Sequence, residues 1–189
     1  MRLQKPRLEP LPTDQIPEEL LKYTGGGRGR PVLNIYRTLA RHPKLAKRWL
    51  VFGTHVLGKS TLDARDRELV ILRTGWLCKS EYEWGQHVVI GKQAGISDDE
   101  VRRIARGPEA PGWSPFDAAL LRAADELHED SFIGETTWST LASRYGEQQL
   151  IDVIFAIGQY TLVCMALNTL GVQLETGMAG FEATAGTTP

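Results

Sequence analysis

The chain has 189 residues, 42% hydrophobic and 24% charged, which is enough for one domain with a buried core. Lys and Arg total 22 against 23 for Asp and Glu, and the formal charge of -1 offers no field that would gather nucleic acid or an anionic membrane. The two cysteines, Cys78 and Cys164, are far apart in sequence, which gives neither a disulfide framework nor a zinc-ligand set and fits a reducing cytoplasm.

The first residues, MRLQKPRLEPLP, carry basic side chains with no apolar stretch behind them, so no signal peptide is expected. Residues 1–30 read as an arm and linker: prolines dominate up to residue 16, a short helical turn follows at Pro17 to Tyr23, and a Gly-rich run occupies 25–29. That run follows no strand and lacks the GKS/T ending of a phosphate loop, so it reads as a linker. From Pro31 the pattern VLNIYRTLARHP is helical, and Pro43 opens a second helix that Gly58 stops. Ser60 or Thr61 is placed to cap the next helix, ARDRELVILRTGWLC, which carries Glu68.

Ser80 begins the helix EYEWGQHVVIGKQAG, closed by Gly95. Ser97 to Glu100 is a capping box for a short helix ending at Arg106. Ser114 and Pro115 start the amphipathic FDAALLRAADELHED, and a short helix is expected near Thr137 to Tyr145. Residues 147 to about 172 form one long apolar helix, interrupted by Asp152, Gln159 and Asn168, that falls short of a membrane span and reads as buried. The tail from 176 to 189, rich in Ala, Gly and Thr, is expected to be disordered. No strand is convincing, so the fold class is all-α: a compact bundle of about seven or eight helices spanning 31–175.

Ser80, Glu83 and His87 follow at intervals of three and four and stack on one side of their helix, with Glu68 just upstream. A carboxylate four residues before an imidazole can accept its N–H and raise its pKa, as a positioned general acid or base requires. Two plainer readings stand beside this one. Ser80 and Glu83 also spell a capping box, and His87 also fits a satisfied core histidine bonded to Glu83 or Glu68. A metal would need Glu68, Glu83 and His87 to converge, with no second histidine nearby, so neither metal nor cofactor is expected. Cys78 has no C-x-x-C partner and reads as a small buried hydrophobe. His42, His55 and His128 show no partner set.

The residues Arg67-Glu68-Leu69-Val70, Glu81-Tyr82-Glu83, and His87 with the Ala94-Gly95 ending resemble the carboxymuconolactone decarboxylase family, which includes alkyl hydroperoxidase D-like proteins. The resemblance covers roughly residues 45 to 175. It implies an all-helical fold of helical hairpins assembled as a trimer or hexamer. In the peroxidase branch the pattern is Glu, eleven residues, Cys, two residues, Cys, three residues, His. Laid on this chain, the glutamate is Glu68, the histidine is His87, and the two thiol positions read Ser80 and Glu83. A thiol peroxidase working through those positions has no thiolate to attack peroxide and none to resolve it. The decarboxylase branch is similar in placing a glutamate four residues before the histidine.

The resemblance thus implies non-redox acid/base chemistry, decarboxylation or proton transfer, on a small carboxylated lactone or keto acid. In that reading His87 donates a proton or steadies an oxyanion, Glu83 holds it and Glu68 orients it. Ser80 meets a substrate oxygen, and Trp76, Tyr82 and Trp84 wall the pocket. The rivals are a thiol-dependent peroxidase-like protein and a non-catalytic ligand-binding or assembly protein of the same fold.

Overall fold

The computed structural model describes residues 2–24 and 31–185; the Gly-rich run at 25–29 and residues 186–189 lie outside the described residues. The helices are α1 (Glu18–Leu21), α2 (Asn34–Leu39), α3 (Pro43–Gly58), α4 (Ala64–Leu77), α5 (Glu81–Gln93), α6 (Asp98–Arg106), α7 (Pro115–Glu129), α8 (Glu135–Ala142), α9 (Glu147–Leu170) and α10 (Phe181–Ala185). No strand occurs among the described residues, and the all-α expectation holds. Eight of the helices, α2 to α9, lie within 31–175 as expected, while α1 falls in the arm and α10 in the tail.

The bundle is arranged around α4, which packs on α5, α7 and α9. Its sequence carries no amphipathic stripe because residues on every side of it are buried, from Asp66 and Glu68 through Trp76. Charged groups on such a helix must find partners inside the fold. Arg73 does so with a forked bond to Asp125 of α7, Nε to Oδ1 at 2.5 Å and Nη2 to Oδ2 at 3.1 Å. Its Nη1 donates to the carbonyls of Ile104 and Ala105 at 3.0 and 3.1 Å, closing the C-terminal end of α6. Asp66 accepts from Tyr145 Oη at 2.6 Å and from Arg144 at 3.0 Å.

Helix ends follow the sequence in most places. The Ser97 capping box and the Ser114 cap form as expected, and Gly95 takes a φ of 94° after α5. The start of α4 differs. Asp63 holds the N-cap position, while Ser60 and Thr61 instead donate to Asp152 of α9 at 3.1 and 2.7 Å. A carboxylate from another helix offers these hydroxyls a stronger acceptor than their own helix does.

The tail departs furthest from expectation. Residues 172–180 cross α5 and lead into α10, whose Phe181 is buried against Trp76 and Trp84, with ring centroids 5.1 and 5.8 Å away. Burying one such phenyl ring stabilises by about 2 kcal/mol, which favours docking over disorder. Thr184 Oγ1 accepts from Trp84 Nε1, and Glu175 accepts from Tyr82 Oη at 2.8 Å and from the Asn34 N–H at 2.8 Å. The crossing needs Gly85, where a Cβ would stand 2.9 Å from the Ala179 carbonyl oxygen.

By length and composition α9 is a helix able to cross a membrane, and half of its most apolar stretch is buried inside the fold. Its outward side exposes Ile151, Phe155, Leu162 and Met165, continuous with Val51 and Phe52 of α3 through the Phe52 and Phe155 rings, 6.1 Å apart.

Candidate functional site

His87 projects from α5 into the angle between α4 and α9, and a carboxylate meets each of its ring nitrogens. Nδ1 lies 2.6 Å from Glu68 Oε2 of α4, and Nε2 lies 3.0 Å from Glu83 Oε1 one turn back along α5. All three residues are buried, Glu68 completely. Two flanking acceptors require both ring nitrogens to carry hydrogen, so the ring is an imidazolium donating in both directions. Burial by itself would push His87 down. The Glu68 charge and hydrogen bond, followed by those of Glu83, outweigh it and raise His87 to about 10. Arg67 Nε at 3.4 Å from Glu68 Oε1 adds a second cation, so the cluster carries two charges of each sign.

This geometry settles the two readings of Glu83. Ser80 occupies the N-cap of α5 without any side-chain capping bond, and Glu83 turns to the imidazole rather than to the helix end. A charge-assisted bond to a buried imidazolium outcompetes one to a backbone N–H. With both ring nitrogens donating, His87 has no lone pair to give a metal.

A cavity of about 90 Å³ opens on the Glu83 side of the imidazole. Its polar lining comes from Glu83, Gln86, His87, Tyr36, Gln159 and Tyr160, and its apolar lining includes Ile35, Trp49 and Val163. The Tyr160 ring packs edge-on to His87, with centroids 4.8 Å apart. Burial, then Glu83 and Glu68, push the Tyr160 phenol well above its ordinary value; burial, then Glu83, raise that of Tyr36. Both remain O–H donors at neutral pH. Gln159 Oε1 is buried without a hydrogen-bond partner. A second, apolar cavity of about 180 Å³ adjoins the first and shares Ile35, Trp49 and Val163 with it.

Of the residues expected at the site, Glu68, Glu83 and His87 converge, and Tyr82 lines the cavity while bonded to Glu175. Ser80, Trp76 and Trp84 do not line it. Ser80 is fully buried, and its hydroxyl makes no hydrogen bond of ordinary geometry and lies against the Cys164 thiol. Trp76 and Trp84 face the other way, onto each other with centroids 5.0 Å apart and onto Phe181. Both tryptophans are one position off the His87 side of their helices, which turns them into the core. In their place Tyr160 and Gln159 of α9, Tyr36 of α2 and Trp49 of α3 complete the walls. One signal for α9 was present in the sequence: Gln159 interrupts an apolar run.

Cys78 also differs from expectation. It is half-exposed, His128 Nδ1 lies 3.9 Å from its sulfur, and its carbonyl accepts from Asn168 Nδ2, one turn beyond Cys164 on α9. Two cysteines distant in sequence become neighbours because α4 and α9 pack together.

Residues 43–126 match the Carboxymuconolactone decarboxylase family. Over that stretch the chain is similar to the carboxymuconolactone decarboxylase family, and its fold is that of AhpD-like proteins. Among solved structures it is similar to an uncharacterized peroxidase-related protein with an alkylhydroperoxidase AhpD core from Ralstonia eutropha, at 18% identity and a TM-score of 0.74, covering 88% of this chain and 87% of that one. A peroxidase-related protein from Silicibacter sp. is also 18% identical with a TM-score of 0.74, covering 98% and 96%. The apo debrominase Bmp8 is 15% identical with a TM-score of 0.72, covering 89% and 92%. These likenesses establish the fold. No curated protein matches the chain.

Proposed function

We propose that this protein is a member of the carboxymuconolactone decarboxylase and AhpD-like superfamily, a carbon-carbon lyase or proton-transfer enzyme that acts without cofactor on a small carboxylated lactone or keto acid. The observation that carries the proposal is the His87 imidazolium, clamped between two carboxylates and facing a cavity. Loss of carbon dioxide, or of a proton beside a carbonyl, leaves an enolate whose oxygen needs a positive partner and whose carbon needs a proton. His87 supplies the charge. Glu83, which touches both the ring and the cavity, takes the Nε2 proton and passes it to the substrate. Glu68, sealed from solvent, accepts from Nδ1–H and keeps the ring oriented, and the proton lost from Nε2 is replaced from the cavity through Glu83. Tyr160 and Tyr36 are neutral donors for a developing oxyanion, and Gln159 Oε1 accepts from a substrate hydroxyl.

The lining favours a substrate whose carbonyl faces His87 and whose remainder is apolar. Neither Lys nor Arg is among the described residues that line the cavity, so His87 is the cation that meets an anionic group. The adjoining 180 Å³ cavity accepts a hydrocarbon or aromatic arm. We further propose a cytoplasmic homo-oligomer, trimer or hexamer, built on the exposed apolar face of α3 and α9.

The test is incubation with a panel of lactones and keto acids, following carbon dioxide release and deuterium uptake from solvent by NMR. Turnover or exchange should be lost in His87→Ala and strongly reduced in Glu83→Gln, with the oligomer intact. Full activity in His87→Ala, or neither signal from the native protein on any such substrate, overturns the proposal and leaves a binding or assembly role.

A further inference from the structure

The start of α2 supplies Leu33, Ile35 and Tyr36 to the wall of the His87 cavity, and α5 supplies Tyr82 and Gln86. These two parts of the wall meet at one carboxylate that belongs to neither helix. Glu175, in the strap that crosses from α9 to α10, accepts through Oε1 from the Asn34 N–H and from Tyr82 Oη, both at 2.8 Å, and through Oε2 from Gln86 Nε2. The Tyr82 oxygen in turn accepts from the Ile35 N–H at 3.3 Å. Asn34 is tied to the strap a second time, its Nδ2 donating to the Gln173 carbonyl at 3.0 Å.

α2 needs this support. It has six residues, where a helix standing alone in water needs about 12 to 15. Its first N–H groups have no acceptor within the helix, and Leu33 at the N-cap has no side chain that could accept from them. Glu175 takes the first of them, and Tyr82, itself bonded to Glu175, takes the second. The chain delivers this cap from 141 residues away.

We infer that Glu175 is a positioning residue for the His87 cavity: it fixes the start of α2 and the Tyr82 and Gln86 side chains as one wall, so the C-terminal strap sets the shape of the space that holds the substrate. The inference rests on that cavity being the reactive site proposed above. Glu175 acts through the groups it holds, and α2 carries Tyr36, a donor to the developing oxyanion. A carboxylate suits the task because hydrogen bonds to a charged acceptor are about twice as strong as neutral ones. Burial, then Glu175, raise the Tyr82 phenol above its ordinary value, so its single O–H stays committed to the strap. Both α2 and the strap lie outside residues 43–126, the stretch similar to the family, so the resemblance does not account for this wall.

The strap is also held on either side of Glu175. Before it, the Val172 N–H donates to the Leu167 carbonyl at 3.0 Å; after it, Phe181 packs on Trp76 and Trp84, and Trp84 Nε1 donates to Thr184. Removing the carboxylate therefore leaves the strap seated, which separates positioning of the wall from mere fastening of the tail.

The experiment compares amide and indole hydrogen exchange by NMR in the full-length native protein, Glu175→Ala, Glu175→Gln and Tyr82→Phe. Losing hydrogen bonds to a charged acceptor lowers local protection by about tenfold to a hundredfold, so the Asn34 and Ile35 amides should exchange that much faster in Glu175→Ala. The Val172 amide and the Trp84 indole N–H should not change. Glu175→Gln still offers an oxygen to Asn34 and should recover most of the protection, while Tyr82→Phe should expose Ile35 alone. If Glu175→Ala does not fold, the other two variants carry the same comparison. On a lactone or keto acid that the native protein turns over, Glu175→Ala and Tyr36→Phe should each lower kcat/KM. The double variant should lose less than the product of the two effects, because both act through the same donor. Unchanged exchange at Asn34 and Ile35, equal loss of protection at Val172 and Trp84, or effects that multiply would each overturn the inference. A native protein that turns over nothing overturns the reaction proposed for His87 instead, and the exchange results then decide the role of Glu175.

Discussion

Replacing Glu68 by Gln removes one negative charge from a completely buried position and keeps the side chain's size. In the native protein His87 stands at about 10 instead of its ordinary 6.5: burial pulls it down, and Glu68 followed by Glu83 pulls it further up. A displacement of that size is on the order of 5 kcal/mol between the two protonation states. Because the folded-state pKa is raised, the ion cluster's contribution to stability is complete below pH 6.5 and is lost as pH climbs through about 10. In Glu68→Gln a desolvated imidazolium keeps Glu83 alone, so burial regains its weight and His87 should titrate near or below neutrality. Breaking a buried pair from one side costs about 3 to 5 kcal/mol, reduced here to about 3 because His87 can shed its proton. Denaturant unfolding at pH 6 should show that loss, and the alkaline decline of native stability should flatten in the variant. NMR titration of the His87 ring gives the independent reading. A ring still protonated at pH 9 in Glu68→Gln, or a stability loss under about 1 kcal/mol at pH 6, would refute the electrostatic account.

Two further perturbations test the tail and the apolar face. Gly85→Ala pushes a methyl to 2.9 Å from the Ala179 carbonyl oxygen, and overpacking of this kind costs about 1 to 3 kcal/mol. It should lift residues 174–180 from α5, seen as faster proteolysis of the tail and altered tryptophan fluorescence as Phe181 leaves Trp84; unchanged cleavage would show that the tail does not depend on this crossing. If α3 and α9 form a subunit interface, Phe155→Glu with Leu162→Glu should lower the mass measured by light scattering from an oligomer to a monomer. An unchanged oligomer would place the interface elsewhere.

Much of the architecture was legible because each helix announces its own ends. Pro43, Ser97, Ser114 and Pro115 start helices where local hydrogen bonding favours a start, and Gly95 stops one in a conformation that costs other residues energy. The caps that failed, Ser60 and Thr61, were drawn away by Asp152, 92 and 91 residues distant in the chain. The tail was misread for a similar reason. Its composition is that of a disordered segment, and it docks through Phe181, Thr184 and Glu175, whose partners lie on other helices.

The sequence by itself determined that Glu83 and His87 share one side of a helix, because that follows from 3.6 residues per turn and nothing else. It also placed Glu68 upstream and left the two thiol positions of the related pattern as Ser80 and Glu83. Tertiary packing decided the rest. It turned Glu83 from helix cap to imidazole ligand, since a buried imidazolium is the stronger partner. It brought Tyr160 and Gln159 to the cavity and Cys164 to Cys78 by laying α9 along α4 and α5. The polar interruptions Asp152, Gln159 and Asn168 were visible in an apolar helix, but what each one touches depends on neighbours that local periodicity does not encode.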